Sequence, residues 1–169
     1  AETVRLATGP AQEVAKLFAS AGTTTFLGSG PHRATAEFGA AKLFEGPQRY
    51  GVAQQLEEWA HEQYFISGPG TPVVVVAPSG ASHDRAAELV DEMHFIGAPS
   101  ILLTDRIDDA AARKAAVVLP IAPGLDEAYS PLLACIPLAL AAFFLAERLG
   151  ARSYGFPSKE HEEIGRAHV

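Results

Sequence analysis

The 169-residue chain has a single cysteine, Cys135, so no disulfide can close within it, which fits a reducing compartment. Set among apolar residues, Cys135 reads as a small core side chain. Runs of lysine or arginine are missing as well. Thirteen basic residues face twenty acidic ones, a formal charge of −7, and without a basic patch a nucleic-acid backbone would be repelled, which excludes nucleic acid as a partner. Any anionic ligand must therefore be held locally. Ala1 to Pro10 has neither the basic start nor the apolar core of a signal peptide, so the chain is expected to be cytoplasmic. The apolar run 132–146 is shorter than the roughly 18 to 20 residues that span a bilayer and contains Pro137, so a buried helix is expected and no membrane. There is no internal repeat and no low-complexity segment.

What is present describes one domain, residues 1–169. At 48% hydrophobic and 20% charged residues, the chain can bury a sizeable core. Residues 11–19 have helical spacing with Val14, Leu17 and Phe18 on one side, and Gly22 ends the pattern. Apolar runs with turn residues on their C-terminal sides lie at 24–27, 73–77, 101–104 and 116–119. Helical patterns separate or follow most of them, notably at 84–96 and 131–149. Tyr64-Phe65-Ile66, before the turn Ser67-Gly68-Pro69-Gly70, is expected as a fifth, short edge strand, residues 120–129 as loop, and the segment from Gly150 as a polar tail. Continuous apolar strands alternating with helices indicate an α/β fold: a three-layer, doubly wound parallel sheet of about five strands, flavodoxin-like or Rossmann-like.

Two strand ends carry the chemistry. Thr25-Phe26-Leu27 runs into Gly28-Ser29-Gly30-Pro31, and Val73-Val74-Val75-Val76-Ala77 runs into Pro78-Ser79-Gly80-Ala81-Ser82. A strand that stops at a small-residue turn and feeds a helix points unpaired N–H groups and a positive dipole end at one spot. Hydroxyls of Ser29, Ser79 and Ser82 add donors without adding charge. In open parallel sheets such ends form the ligand crevice. Gly28-Ser29-Gly30-Pro31-His32-Arg33 lacks the third glycine of the dinucleotide fingerprint, and no P-loop lysine follows. His32, His83, His94, His161 and His168 show no metal-ligand spacing, and neither metal nor cofactor is expected.

Phe26-Leu27-Gly28-Ser29-Gly30, Gly39-Ala40-Ala41-Lys42-Leu43-Phe44-Glu45, Glu58-Trp59-Ala60-His61, Ser79-Gly80-Ala81-Ser82 and residues 131–138 together resemble a sugar isomerase (SIS) domain. More narrowly, these segments resemble the C-terminal SIS half of glucosamine-6-phosphate synthase and related two-SIS isomerases, deglycases and deaminases. The resemblance implies that Glu45 moves protons between sugar C1 and C2 and that Lys42, three residues before it on the same helix face, keeps that carboxylate ionised. It also implies that His61 opens the sugar ring and is contributed across a subunit or domain interface, a task suited to an imidazole that titrates near neutrality. Gly30, Gly80 and the three serines would form anion-binding turns, and pairing with a second SIS domain, in a homodimer or with another half, is expected.

The chain departs from the family pattern at three places. Glu62-Gln63 replaces the Gly-Pro that usually follows the histidine, Phe38 stands where the synthase has a glutamate, and Lys159 is the nearest counterpart of a tail lysine able to form a Schiff base, with mismatched spacing and acidic neighbours. The expected function is phosphosugar binding within an aldose–ketose isomerase, deglycase or amino-sugar-phosphate deaminase that works through an enediol or enolamine. The alternative is a non-catalytic sugar-phosphate sensor, which needs the turns but not Glu45.

Overall fold

The computed structural model describes residues 1–152, 155–156 and 158–167; His168 lies outside them. Five strands, β1 (Thr23–Leu27), β2 (Tyr50–Gln54), β3 (Val73–Val76), β4 (Ser100–Thr104) and β5 (Val117–Pro120), form one sheet in the order β2-β1-β3-β4-β5. Every pairing is parallel, with Phe26 of β1 beside Ala53 on one side and Val74 on the other. Helices α1 (Glu2–Ala19), α2 (His32–Glu45) and α6 (Pro131–Leu149) cover one face. Helices α3 (Leu56–His61), α4 (His83–Ile96) and α5 (Ala110–Lys114) cover the other, and α7 (Lys159–Ala167) ends the described chain.

Burial on both faces explains the unbroken apolar run of the central strand β3. Val74 and Val76 enter the core under α1, α2 and α6, while Val73 and Val75 enter the core under α3, α4 and α5. A sheet with one wet face would have alternated polar and apolar residues. Phe26 anchors the first core, edge-to-face on Phe18 with centroids 6.0 Å apart; truncating so large a buried ring costs about 3–5 kcal/mol.

Three elements differ from the sequence expectation. Residues 64–66 are not a strand: Gln63–Ile66 is a single 3-10 turn, in which Tyr64 leans edge-on against Trp59 while Phe65 and Ile66 point to solvent. The edge strand is instead β2, whose polar ends and Gly51 at its second position hide its extended character. Helix α1 begins at Glu2, nine residues before the expected start, and passes through Pro10. Burial of Thr3, Ala7 and Ala11 outweighs the hydrogen bond that Pro10 cannot donate, and the Thr3 hydroxyl ties the helix start down by accepting from the N–H of Ala122 at 3.2 Å.

Helix α6 has the length and hydropathy of a membrane crossing, but its position is that of a core helix. Ala134, Leu138, Ala141 and Leu145 are buried against the first core. Pro131 opens it at the position where a missing N–H costs nothing.

Candidate functional site

Strand order reverses direction between β1 and β3, and both glycine turns open at the carboxyl ends of these two adjacent strands. That is the crevice where doubly wound sheets take ligands.

The first turn is built for donation. Gly30 has φ +54°, a left-handed conformation that glycine takes without strain. Among the described residues, neither Ser29 nor Gly30 uses its backbone N–H in a hydrogen bond. Gln55, the N-cap of α3, accepts the N–H of Glu57 on Oε1 at 2.5 Å and donates from Nε2 to Ser29 Oγ at 2.8 Å. Nothing in the sequence marked Gln55, because the strand before it was not legible.

Directly behind this turn, His32 is buried, with Nε2 3.0 Å from Ser130 Oγ and Nδ1 3.3 Å from Thr35 Oγ1. The Ser130 hydroxyl donates to the carbonyl of Glu127 at 2.8 Å, so its oxygen is left to accept and Nε2 of His32 supplies the proton. Burial pushes the His32 imidazole below its ordinary pKa, with the nearby Glu127 carboxylate opposing. His32 thereby fastens the 124–130 loop to the start of α2.

The second turn is already partly occupied by the protein's own carboxylates. Asp105 Oδ1 accepts from the N–H of Ser79 at 2.7 Å and from its hydroxyl at 3.1 Å, and Glu127 Oε2 accepts from the N–H of Ala81 at 3.1 Å. Gly80 makes the latter approach possible, since a Cβ there would lie 2.3 Å from the Glu127 carboxyl carbon. Ser82 precedes α4 without a side-chain cap bond. A phosphate could use the Ser79 and Ala81 donors only by displacing Asp105 and Glu127, two partners that sequence spacing gave no means of finding.

Lys42 and Glu45 are brought together: the ammonium donates directly to Glu45 Oε2, with the two side chains 28% and 39% exposed. Phe38 lies on the same stretch of helix, its ring centroid 5.1 Å from Lys42 Nζ, so a cation–π contact stands where the family pattern has a carboxylate. Cys135 is half-buried nearby; burial pushes its thiol pKa up while Lys42 pulls the other way. Lys42 follows the start of α2 by ten residues, so its backbone sits roughly 15 Å down the helix axis from the first turn.

His61 ends α3, in the opposite layer from α2, and is exposed. Its neighbour Glu57 is held below the ordinary carboxylate range, chiefly by hydrogen bonds from Arg85 and secondarily by charge from Arg85 and His61. Within one chain the structure therefore separates His61 from Lys42 and Glu45. Lys159 is exposed at the first position of α7, followed by Glu160 and Glu162 in the first turn. Among the described residues, no three His, Cys, Asp or Glu side chains come together as a metal site.

A doubly wound parallel sheet with two glycine turns at its switch point and an ion-paired helix beside it defines a flavodoxin-like α/β domain of ligand-binding type. The chain belongs to the SIS domain family, whose model matches residues 17–146. It is 32% identical over 150 residues to the glutamine–fructose-6-phosphate aminotransferase (isomerizing) of Synechocystis sp., covering 88% of this chain and 24% of that protein. The chain thus spans about a quarter of the length of the curated relatives it matches. The C-terminal domain of glucosamine-fructose-6-phosphate aminotransferase from Francisella tularensis superposes with TM-score 0.77 at 23% identity, over 90% of this chain and 43% of that one. The Vibrio vulnificus NanR protein, solved in complex with ManNAc-6P, superposes with TM-score 0.73 at 13% identity, over 99% of this chain and 64% of that one.

Proposed function

We propose that this chain is the phosphosugar-binding SIS domain of an aldose–ketose isomerase, deglycase or amino-sugar-phosphate deaminase, with Glu45 as the base that carries the proton between C1 and C2. The observation that carries this reading is the Lys42–Glu45 contact on a part-exposed stretch of α2. An ammonium held there stabilises charge developing on an enediolate. The named activity of the aminotransferases and the ligand of NanR support the substrate class.

His61 would act as the ring-opening acid and base from another copy or another SIS domain, because in its own chain it lies across the sheet from Glu45. The apolar outer side of α6, with Leu132 74% and Phe143 52% exposed, offers a surface for such pairing. In this reading the enzyme works without a metal or cofactor, since proton transfer through an enediol needs none.

The test is Glu45→Gln in the complete assembly, including any additional SIS half. Deuterium incorporation from solvent into fructose 6-phosphate is expected to fall by roughly 10² or more while affinity stays within a few-fold, the usual scale for loss of a general base. Unchanged exchange would remove Glu45 as the base. A second reading draws on the separation of the first turn from Lys42: a ligand confined to that turn does not need Glu45, as in a sensor. An assembly that binds hexose or hexosamine 6-phosphates but exchanges protons with none of them would establish it.

A further inference from the structure

We infer that Gln55 is a positioning residue that fixes the Ser29 hydroxyl as an outward hydrogen-bond donor, so that Ser29 contacts an acceptor oxygen of the ligand, a phosphoryl or sugar oxygen. This rests on the proposed role of Ser29 in ligand binding. The orientation of the Gln55 amide follows from the chemistry of its partners. A backbone N–H can only donate, so the atom 2.5 Å from the Glu57 nitrogen is the carbonyl Oε1. The other end of the amide is then the NH2 group, and it donates to Ser29 Oγ at 2.8 Å. A hydroxyl that receives a proton from one side has its own hydrogen to give elsewhere. Among the described residues the Ser29 hydroxyl finds no acceptor, and the N–H groups of Ser29 and Gly30 are likewise unused beside it. The first turn therefore carries three donors without partners among the described residues, whereas at the second turn Asp105 and Glu127 consume two N–H groups and the Ser79 hydroxyl.

Gln55 is held through both backbone and side chain: its Oε1 caps α3, and its backbone N–H donates to Glu58 Oε2 at 3.3 Å in return. Its amide cannot turn over without giving up the cap. Gln55 thus links the start of α3 to the crevice and makes the polarity of Ser29 a property of the fold.

Gln55→Glu separates these roles. One carboxylate oxygen still accepts the Glu57 N–H, but the other can only accept, so the Ser29 hydroxyl must turn its proton inward. The variant is expected to keep the wild-type melting temperature within a few degrees and to bind fructose 6-phosphate about tenfold or more weakly by calorimetry, the scale of one lost hydrogen bond to a charged group. Ser29→Ala should weaken binding similarly, and the double variant should be no weaker than the weaker single one. If the penalties multiply, the added charge acts on the ligand directly and the inference is overturned; it is also overturned if Ser29→Ala weakens binding while Gln55→Glu does not. If wild type binds neither fructose 6-phosphate nor inorganic phosphate, or if Ser29→Ala is silent, the binding role of Ser29 itself fails and this inference falls with it. A ligand-free measurement tells these failures apart: the Gln55 side-chain amide protons in the NMR spectrum should shift in Ser29→Ala, and unchanged positions would show that the bond to Ser29 is not formed.

Discussion

Replacing Gly80 by alanine tests whether the protein's own carboxylate occupies the second turn. The added Cβ would sit 2.3 Å from the carboxyl carbon of Glu127 and 2.4 Å from its Oε1, far inside van der Waals contact, so the side chain must leave. The obstacle is the tip of a flexible side chain in a solvent-exposed turn, so it can swing away without moving the backbone. What is lost is the hydrogen bond from the Ala81 N–H at 3.1 Å, about 0.5–1.5 kcal/mol for an exposed donor that regains water. What is gained is about 0.4–1 kcal/mol from the narrower unfolded ensemble, because Gly80 is not among the positive-φ glycines and alanine can take its conformation. The two nearly cancel. A net change below about 1 kcal/mol corresponds to a melting shift of no more than roughly 2–4 °C for a chain of this length. The Ala81 amide should respond strongly: its proton resonance moves and its hydrogen exchange quickens in Gly80→Ala and equally in Glu127→Ala. Inorganic phosphate is expected to perturb that amide in Glu127→Ala and not in wild type. An Ala81 amide that is the same in wild type and both variants would refute the carboxylate's presence in the turn. A loss above about 3 kcal/mol in Gly80→Ala would show that the backbone, and not a side-chain tip, fills the space.

Other outcomes follow from the same geometry. Glu45→Gln should change stability by no more than about 0.5 kcal/mol, since the pair is a half-exposed i,i+3 contact; thermal melting checks it, and a larger loss would make its activity effect ambiguous. His32 resists protonation in the fold, whereas the unfolded chain takes up a proton below the ordinary value of 6.5. Its contribution is therefore present above that pH and is lost as pH falls through it, by at most about 1.4 kcal/mol per pH unit. Urea midpoints between pH 5 and 8 should show this slope in wild type and less of it in His32→Gln, and a rise in stability on acidification through the same groups would contradict it. Sedimentation at micromolar concentration should show association of the wild-type chain, abolished by Leu132→Glu together with Phe143→Glu. A wild-type monomer that pairs with no second SIS domain would remove the route by which His61 reaches Glu45.

Residue order alone determined the parts of this protein that depend on local pattern. Four of the five strands were legible because each carries a short apolar run, Phe26-Leu27, Val73–Val76, Ile101-Leu102-Leu103 or Val117-Val118-Leu119, with turn residues on its C-terminal side. The span of α6 was legible because Pro131 and Gly150 mark its ends, and the Lys42–Glu45 contact because helix geometry places residues three apart on one face. The turns after β1 and β3 were legible from their small residues. Only tertiary structure decided the rest. Whether Tyr50–Gln54 or residues 64–66 would form the edge strand depended on which could pair with β1, and Tyr64 found its partner in Trp59 instead. The polarity of the two turns was set by residues far away in sequence: Gln55 gives Ser29 a proton to spare, while Asp105 and Glu127 take the donors of Ser79 and Ala81. Hydrogen-bond partners separated by 26 to 46 residues leave no periodicity in a sequence, because the fold that brings them together is fixed by apolar packing elsewhere.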